Sequence, residues 1–120
     1  MENVILIKTK EFAAKILNCY FSLQSKHHYR LSEQLVGAGT SIGANVVEAQ
    51  GAQSKKDFIS KMCIAAKEAR ETEYWLSLMD RPELLKDHVD FEFLQKEIIE
   101  IIRILDSIII TSKKSLKNNP

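Results

Sequence analysis

The chain has 120 residues, with 17 lysines and arginines against 16 aspartates and glutamates, for a net charge of +1. That near-neutrality excludes a polybasic chain, so attraction to nucleic acid has to come from where the charges lie. The length suits one domain whose core needs no disulfide or metal staple. Four glycines and two prolines leave little room for long loops.

The first periodic segment predicts a helix over about 8–25, with Phe12, Ile16, Cys19 and Leu23 on one seam and Tyr20 and Phe21 beside it. The preceding VILI is too short for the apolar core of a secretion signal. A connector, SKHHYR, leads to a second helix over about 30–50. There Leu31, Leu35, Ala38, Ile42, Asn45, Val46 and Ala49 fall within one arc at 100° per residue. Gly51 suits the end of that helix because glycine accepts the left-handed conformation. Ser54 and Asp57 form a loose capping box. They open a third helix over about 55–79, with Phe58, Met62, Ala65, Ala69, Thr72 and Leu76 on its seam. Arg81-Pro82 interrupts the pattern, and a last helix runs over about 89–115. Its stripe holds Phe91, Leu94, Ile98, Ile101, Ile102, Leu105, Ile108 and Ile109. No strand region, repeat or domain boundary is evident. Short connections favour antiparallel neighbours, so the expected fold is all-α: one domain, 1–120, forming an up-down-up-down four-helix bundle.

The second helix carries a further oddity. Val36, Gly39, Gly43 and Val47 form another stripe, about 120° from the core arc. No charged residue occurs from Gln34 to Val47. Glycine within a helix costs about 1 kcal/mol relative to alanine. A helix apolar on nearly all sides is expected to be covered on nearly all sides. The glycines would let another backbone approach, so this stripe is assigned to contact with a second copy of the chain. Ile59, Ile64, Cys63, Trp75 and Leu78 on the third helix, and Ile99, Ile104 and Ile110 on the last, lie outside their seams and point the same way.

Candidate chemistry is sparse. Asn45 falls in the core arc and needs a hydrogen-bond partner. Thr72 or Glu73 on the third helix, or a neighbouring copy, could supply it, which makes the three a structural polar core that sets register. Glu48, Glu68, Glu71 and Glu73 resemble carboxylate ligands of di-iron bundles, but none of His27, His28 and His88 has a glutamate three residues before it. No metal or other cofactor is therefore expected. No nucleophile-base pair is apparent in sequence, and the glycines at 37, 39 and 43 follow no strand, against a phosphate-binding loop. No catalytic residue is assigned. Cys19 and Cys63 read as reduced thiols, and no apolar run approaches the ~20 residues of a membrane span. The expected location is the cytoplasm, away from membranes.

In an antiparallel bundle Lys8, Lys10, Lys55, Lys56, Lys113, Lys114 and Lys117 would collect at one pole. Asp80, Glu83, Asp87, Asp90 and Glu92, offset by Lys26, Arg30, Arg81 and Lys86, would collect at the other. A cyclic oligomer would repeat the lysines around one rim, a field suited to phosphate backbones.

The run TSIGANVVEAQGAQSKKDFISKMCIAAKEARETEYWL resembles the four-helix-bundle family of 23S ribosomal RNA intervening-sequence proteins. The resemblance rests on Ser41, Ile42, Ala44, Asn45, Glu48, Gly51, Ser54 to Phe58, Glu71 and Glu73. It implies a small bacterial, cytoplasmic bundle with no established enzymatic activity. A related branch is the accessory protein of diversity-generating retroelements, which forms homopentamers, binds nucleic acid and contacts a reverse transcriptase. Self-association as a pentamer and a reverse transcriptase or other nucleic-acid-handling partner are thus what the resemblance implies. Many members carry arginines where this chain has Val36 and Gly37, so any phosphate contact made there is missing. The expected function is a non-enzymatic, self-associating bundle that binds RNA or DNA through its lysines. The alternatives are a protein-interaction scaffold and, remotely, a carboxylate-dependent metalloenzyme.

Overall fold

The computed structural model describes residues 3–118. They form four helices: α1 Val4–Ser25, α2 Tyr29–Gln50, α3 Lys55–Leu78 and α4 Phe91–Asn118. Packing runs α1 to α2, α2 to α3, α3 to α4 and back from α4 to α1, and among the described residues no diagonal pair of backbones comes as close. This is the expected up-down-up-down arrangement.

The seams expected from periodicity supply the core. Phe12, Ile16, Cys19 and Leu23 of α1 are buried, as are Leu35, Ile42 and Val46 of α2, Met62, Ala69 and Leu76 of α3, and Leu94, Ile98, Ile101 and Leu105 of α4. Leu31, Phe58, Ile102 and Ile108 sit at its margin, partly buried. Thr72 is buried in the seam too, its hydroxyl donating to the Glu68 carbonyl at 2.8 Å.

The helix ends show how local chemistry sets boundaries. α1 starts earlier than the apolar pattern indicated, because the Asn3 side chain accepts the Leu6 N–H at 3.4 Å and caps it. Its other end closes on His27, which is left-handed at φ 67°. The His27 N–H bonds the Gln24 carbonyl at 2.9 Å and the His28 N–H bonds that of Leu23 at 2.9 Å. That pair of bonds is a Schellman closure, built here on a histidine instead of a glycine. Gly51, by contrast, ends α2 at φ −99°, so its left-handed freedom goes unused. The cap on α3 forms as read: Ser54 Oγ accepts the Asp57 N–H at 3.0 Å. The Asp57 carboxylate reaches one residue further back than expected, to the Gln53 N–H at 3.2 Å.

The connector over residues 79–90 contributes core that periodicity did not reveal. Met79, Leu84 and Leu85 are buried there and close that end of the bundle. No helix among the described residues is long and apolar enough to cross a membrane.

Candidate nucleic-acid interface

The α2 stripe divides between two environments. A Cβ built on Gly39 would lie 2.9 Å from both Cγ1 and Cγ2 of Ile16. One on Gly43 would lie 3.3 Å from Thr9 Oγ1 and 3.4 Å from the Thr9 carbonyl. Gly39 is buried and Gly43 partly so. The close approach these glycines permit is therefore to α1 of the same chain, which corrects their assignment to a second copy. A wheel shows which residues share a stripe, but each helix of a square bundle has two neighbours, and the glycines of this stripe face one of them. Val36 packs against the margin of the core. Val47 remains, 61% exposed on the outer surface. Gly37 faces open space: a Cβ added there would meet nothing within 4 Å.

The polar core expected of Asn45, Thr72 and Glu73 does not assemble. Asn45 is half-buried and donates from Nδ2 to the Ser41 carbonyl of its own helix at 2.8 Å. Thr72 bonds within α3, and Glu73 is exposed. Asn45 and Thr72 each find a backbone carbonyl one turn back, so neither needs the other.

The lysines fall into three environments. Lys8 is not part of a free basic pole. Its Nζ lies 3.1 Å from Glu97 Oε2, on the flank where α1 meets α4. Lys10 is exposed on α1. The other five do gather. Lys55 Nζ donates to Ser115 Oγ at 2.6 Å, which sets the start of α3 level with the last turns of α4. Lys55, Lys56, Lys113, Lys114 and Lys117 are all exposed at this corner. None of them forms an ion pair with any described residue. Glu97 and Ser115 are roughly 27 Å apart along α4 at 1.5 Å per residue, so Lys8 belongs to another part of the surface.

Elsewhere seven of the twelve remaining lysines and arginines have an ion-pair partner. Arg70 grips Asp106 through two bonds of 3.2 and 2.6 Å between α3 and α4. Lys61 pairs with Glu48 at 3.7 Å, Lys96 with Glu92 at 3.0 Å and Arg103 with Glu100 at 2.9 Å. Asp90 accepts from Asn18 at 3.1 Å and lies 3.5 Å from Lys15. The Asn18 hydrogen bond, assisted by the Lys15 charge, holds its carboxyl below the usual aspartate range.

One thiol and one imidazole do come together, which sequence separation had hidden. Cys19 Sγ is 3.7 Å from His88 Nδ1. That nitrogen already accepts the Asp90 backbone N–H at 3.0 Å. Burial, with the Asp90 charge adding to it, pushes the thiol up to about 12. Cys19 is then protonated at neutral pH, and the contact organises the entry to α4 instead of activating a nucleophile. Among the described residues, no three His, Cys, Asp or Glu side chains converge in a metal-binding arrangement.

Comparison with known proteins places this bundle. The family model described as 23S rRNA-intervening sequence protein matches residues 1–107. The chain belongs to that family. A crystal structure of a protein of unknown function from the S23 ribosomal protein family of Bacteroides thetaiotaomicron VPI-5482 is similar to this 23S rRNA-intervening sequence protein family member. The two are 42% identical, the match covers 88% of this chain and 97% of that one, and the TM-score is 0.78. No curated protein matches.

Proposed function

We propose that this protein is a non-enzymatic, homo-oligomeric bundle that binds RNA or DNA through Lys55, Lys56, Lys113, Lys114 and Lys117. The observation that carries this reading is the corner itself: five exposed lysines from two helices with no acidic partner among the described residues, whereas seven of the chain's other twelve lysines and arginines have one. Exposed lysines concentrated in this way attract phosphates and displace condensed counterions, so the affinity falls steeply with added salt. Lysine is a flexible point charge without the fixed fork of arginine, and on this reading the five contact the phosphate backbone, which carries no sequence information.

Changing Lys55, Lys56, Lys113 and Lys114 together to glutamate tests it. Binding to a labelled oligonucleotide, followed by fluorescence anisotropy at fixed ionic strength, should be lost while the helical circular dichroism persists. Unchanged binding by a folded variant refutes the assignment.

Self-association is the second component, and the α2 glycines do not support it. It rests on large apolar side chains exposed along α1 and α2: Ile7, Leu17, Phe21 and Val47, with Phe21 62% exposed. Ile7 and Phe21 recur on α1 at whole-heptad spacing, opposite its buried seam. A second copy covering this face would repeat the lysine corner by symmetry and raise the local potential. The homopentamer implied by family resemblance is the arrangement we favour. Sedimentation equilibrium reports it: Val47→Glu with Phe21→Glu should yield single chains, and a wild type already monomeric at working concentration removes this component. The same apolar face also supports a protein-interaction scaffold. That reading gains if binding to a partner protein persists in the four-lysine variant and is insensitive to salt.

A further inference from the structure

We infer that the lysine corner is built for base-paired nucleic acid and discriminates against unpaired single strands. This rests on the proposed nucleic-acid function and specifies the form of its ligand.

The argument comes from where the aromatic residues are. Single-strand binders combine a basic track with aromatic faces on which unpaired bases stack. This chain has nine aromatic residues, all within the described part. Phe12 and Phe91 are buried. Tyr20 is partly buried and donates to Glu33 across the α1–α2 seam at 3.2 Å. The exposed ones are Phe21, Tyr29, Tyr74 and Phe93. Phe21 and Tyr29 flank the α1–α2 turn, at the opposite end from the start of α3. Tyr74, with Trp75 beside it, is roughly 27 Å along α3 from Lys56, and Phe93 is roughly 30 Å along α4 from Lys113. Phe58 is the one aromatic side chain near the lysines, and it is packed against the core. The corner therefore offers charge without a stacking platform.

Charge alone favours a duplex. Paired DNA carries one negative charge per ~1.7 Å of axis, about twice the density of one of its strands. Five lysines on adjacent helix ends meet more phosphates on that surface and release more counterions per contact. The expected slope of log affinity against log salt is at most about −4.5 for five contacts on a DNA duplex and about −3.5 on a single strand.

The test uses the full chain and four probes of equal length: a DNA duplex, an RNA duplex, and one component strand of each chosen to lack self-pairing. Anisotropy titrations at several salt concentrations compare them for wild type, the four-lysine variant and Phe58→Leu. We expect each duplex to bind at least about fivefold tighter than its strand, with a steeper salt slope, and Phe58→Leu to change neither. Single strands that bind as tightly as duplexes, or a Phe58→Leu protein that loses single-strand binding alone, overturn the inference while leaving the function in place if the four-lysine variant binds nothing. If wild type binds no probe, or the folded four-lysine variant binds as wild type does, the proposed function falls and the inference with it.

Discussion

The α1–α2 seam and the α3–α4 seam differ in how closely the backbone of one helix meets the other. Between α1 and α2, Gly39 sits against Ile16 and Gly43 against Thr9, so backbone approaches side chain with no intervening atoms. Between α3 and α4, long polar side chains span the gap: Arg70 to Asp106 and Lys55 to Ser115. An open groove of about 190 Å³ lies between the same two helices, lined by Glu73, Leu76, Ser77, Gln95, Ile98 and Ile99. A close seam derives its stability from tight fit. A bridged seam derives little from its exposed ion pairs but leaves charged side chains where a partner can reach them. The lysine corner belongs to the bridged seam.

That contrast can be broken by mutation, and the largest effect should come from the close seam. Ile16→Ala removes a fully buried side chain on which Gly39 rests. It should cost about 2–5 kcal/mol in urea unfolding. Gly39→Ala should come next. The added methyl meets the first branch of a buried isoleucine, which cannot swing away, and overpacking of this kind costs about 1–3 kcal/mol. The gain of about 1 kcal/mol in helix propensity offsets only part of it. Ile16→Val alongside should restore little of the loss, since valine keeps both branch carbons 2.9 Å from the added methyl and removes only Cδ1, which lies at 3.1 Å.

Gly37→Ala should act with the opposite sign. Nothing surrounds that position, so the propensity gain of about 1 kcal/mol stands alone and the melting temperature should rise. If Gly37→Ala and Gly39→Ala shift stability equally, the close-seam account is wrong. On the bridged side, Arg70→Ala should cost no more than about 1 kcal/mol, because the pair with Asp106 is exposed, and the loss should shrink in high salt.

The smallest effect concerns acid. Asp90 has a folded pKa below its ordinary value, held there mainly by Asn18. A depressed carboxyl contributes stability that is present above the unfolded aspartate value and lost as pH falls through the folded one. Asn18→Ala should therefore reduce stability at neutral pH and flatten its decline below about pH 4. Stability curves that remain parallel at all pH values would remove Asp90 from the account.

Much of this architecture was legible in apolar spacing. The seam residues Phe12, Ile16, Leu35, Ile42, Met62, Leu94 and Ile101 repeat at helical period because each must face the same interior, and local periodicity carries that constraint directly. The Ser54–Asp57 cap was legible for the same reason: both partners lie within one turn. Leu84 and Leu85 were not, because the connector they sit in has no period to read.

Of the candidate site, charge gave the lysines of α3 and α4 but mislaid Lys8, whose partner Glu97 lies far away in sequence. What the chain alone determined is what depends on neighbours a few residues apart: four helices, their buried faces and most of their ends. Which neighbour fills the space beside Gly39, which lysines keep a free charge, and that Cys19 meets His88 were decided only by tertiary packing. Those outcomes depend on the register between helices, a property of distances that no single helix encodes.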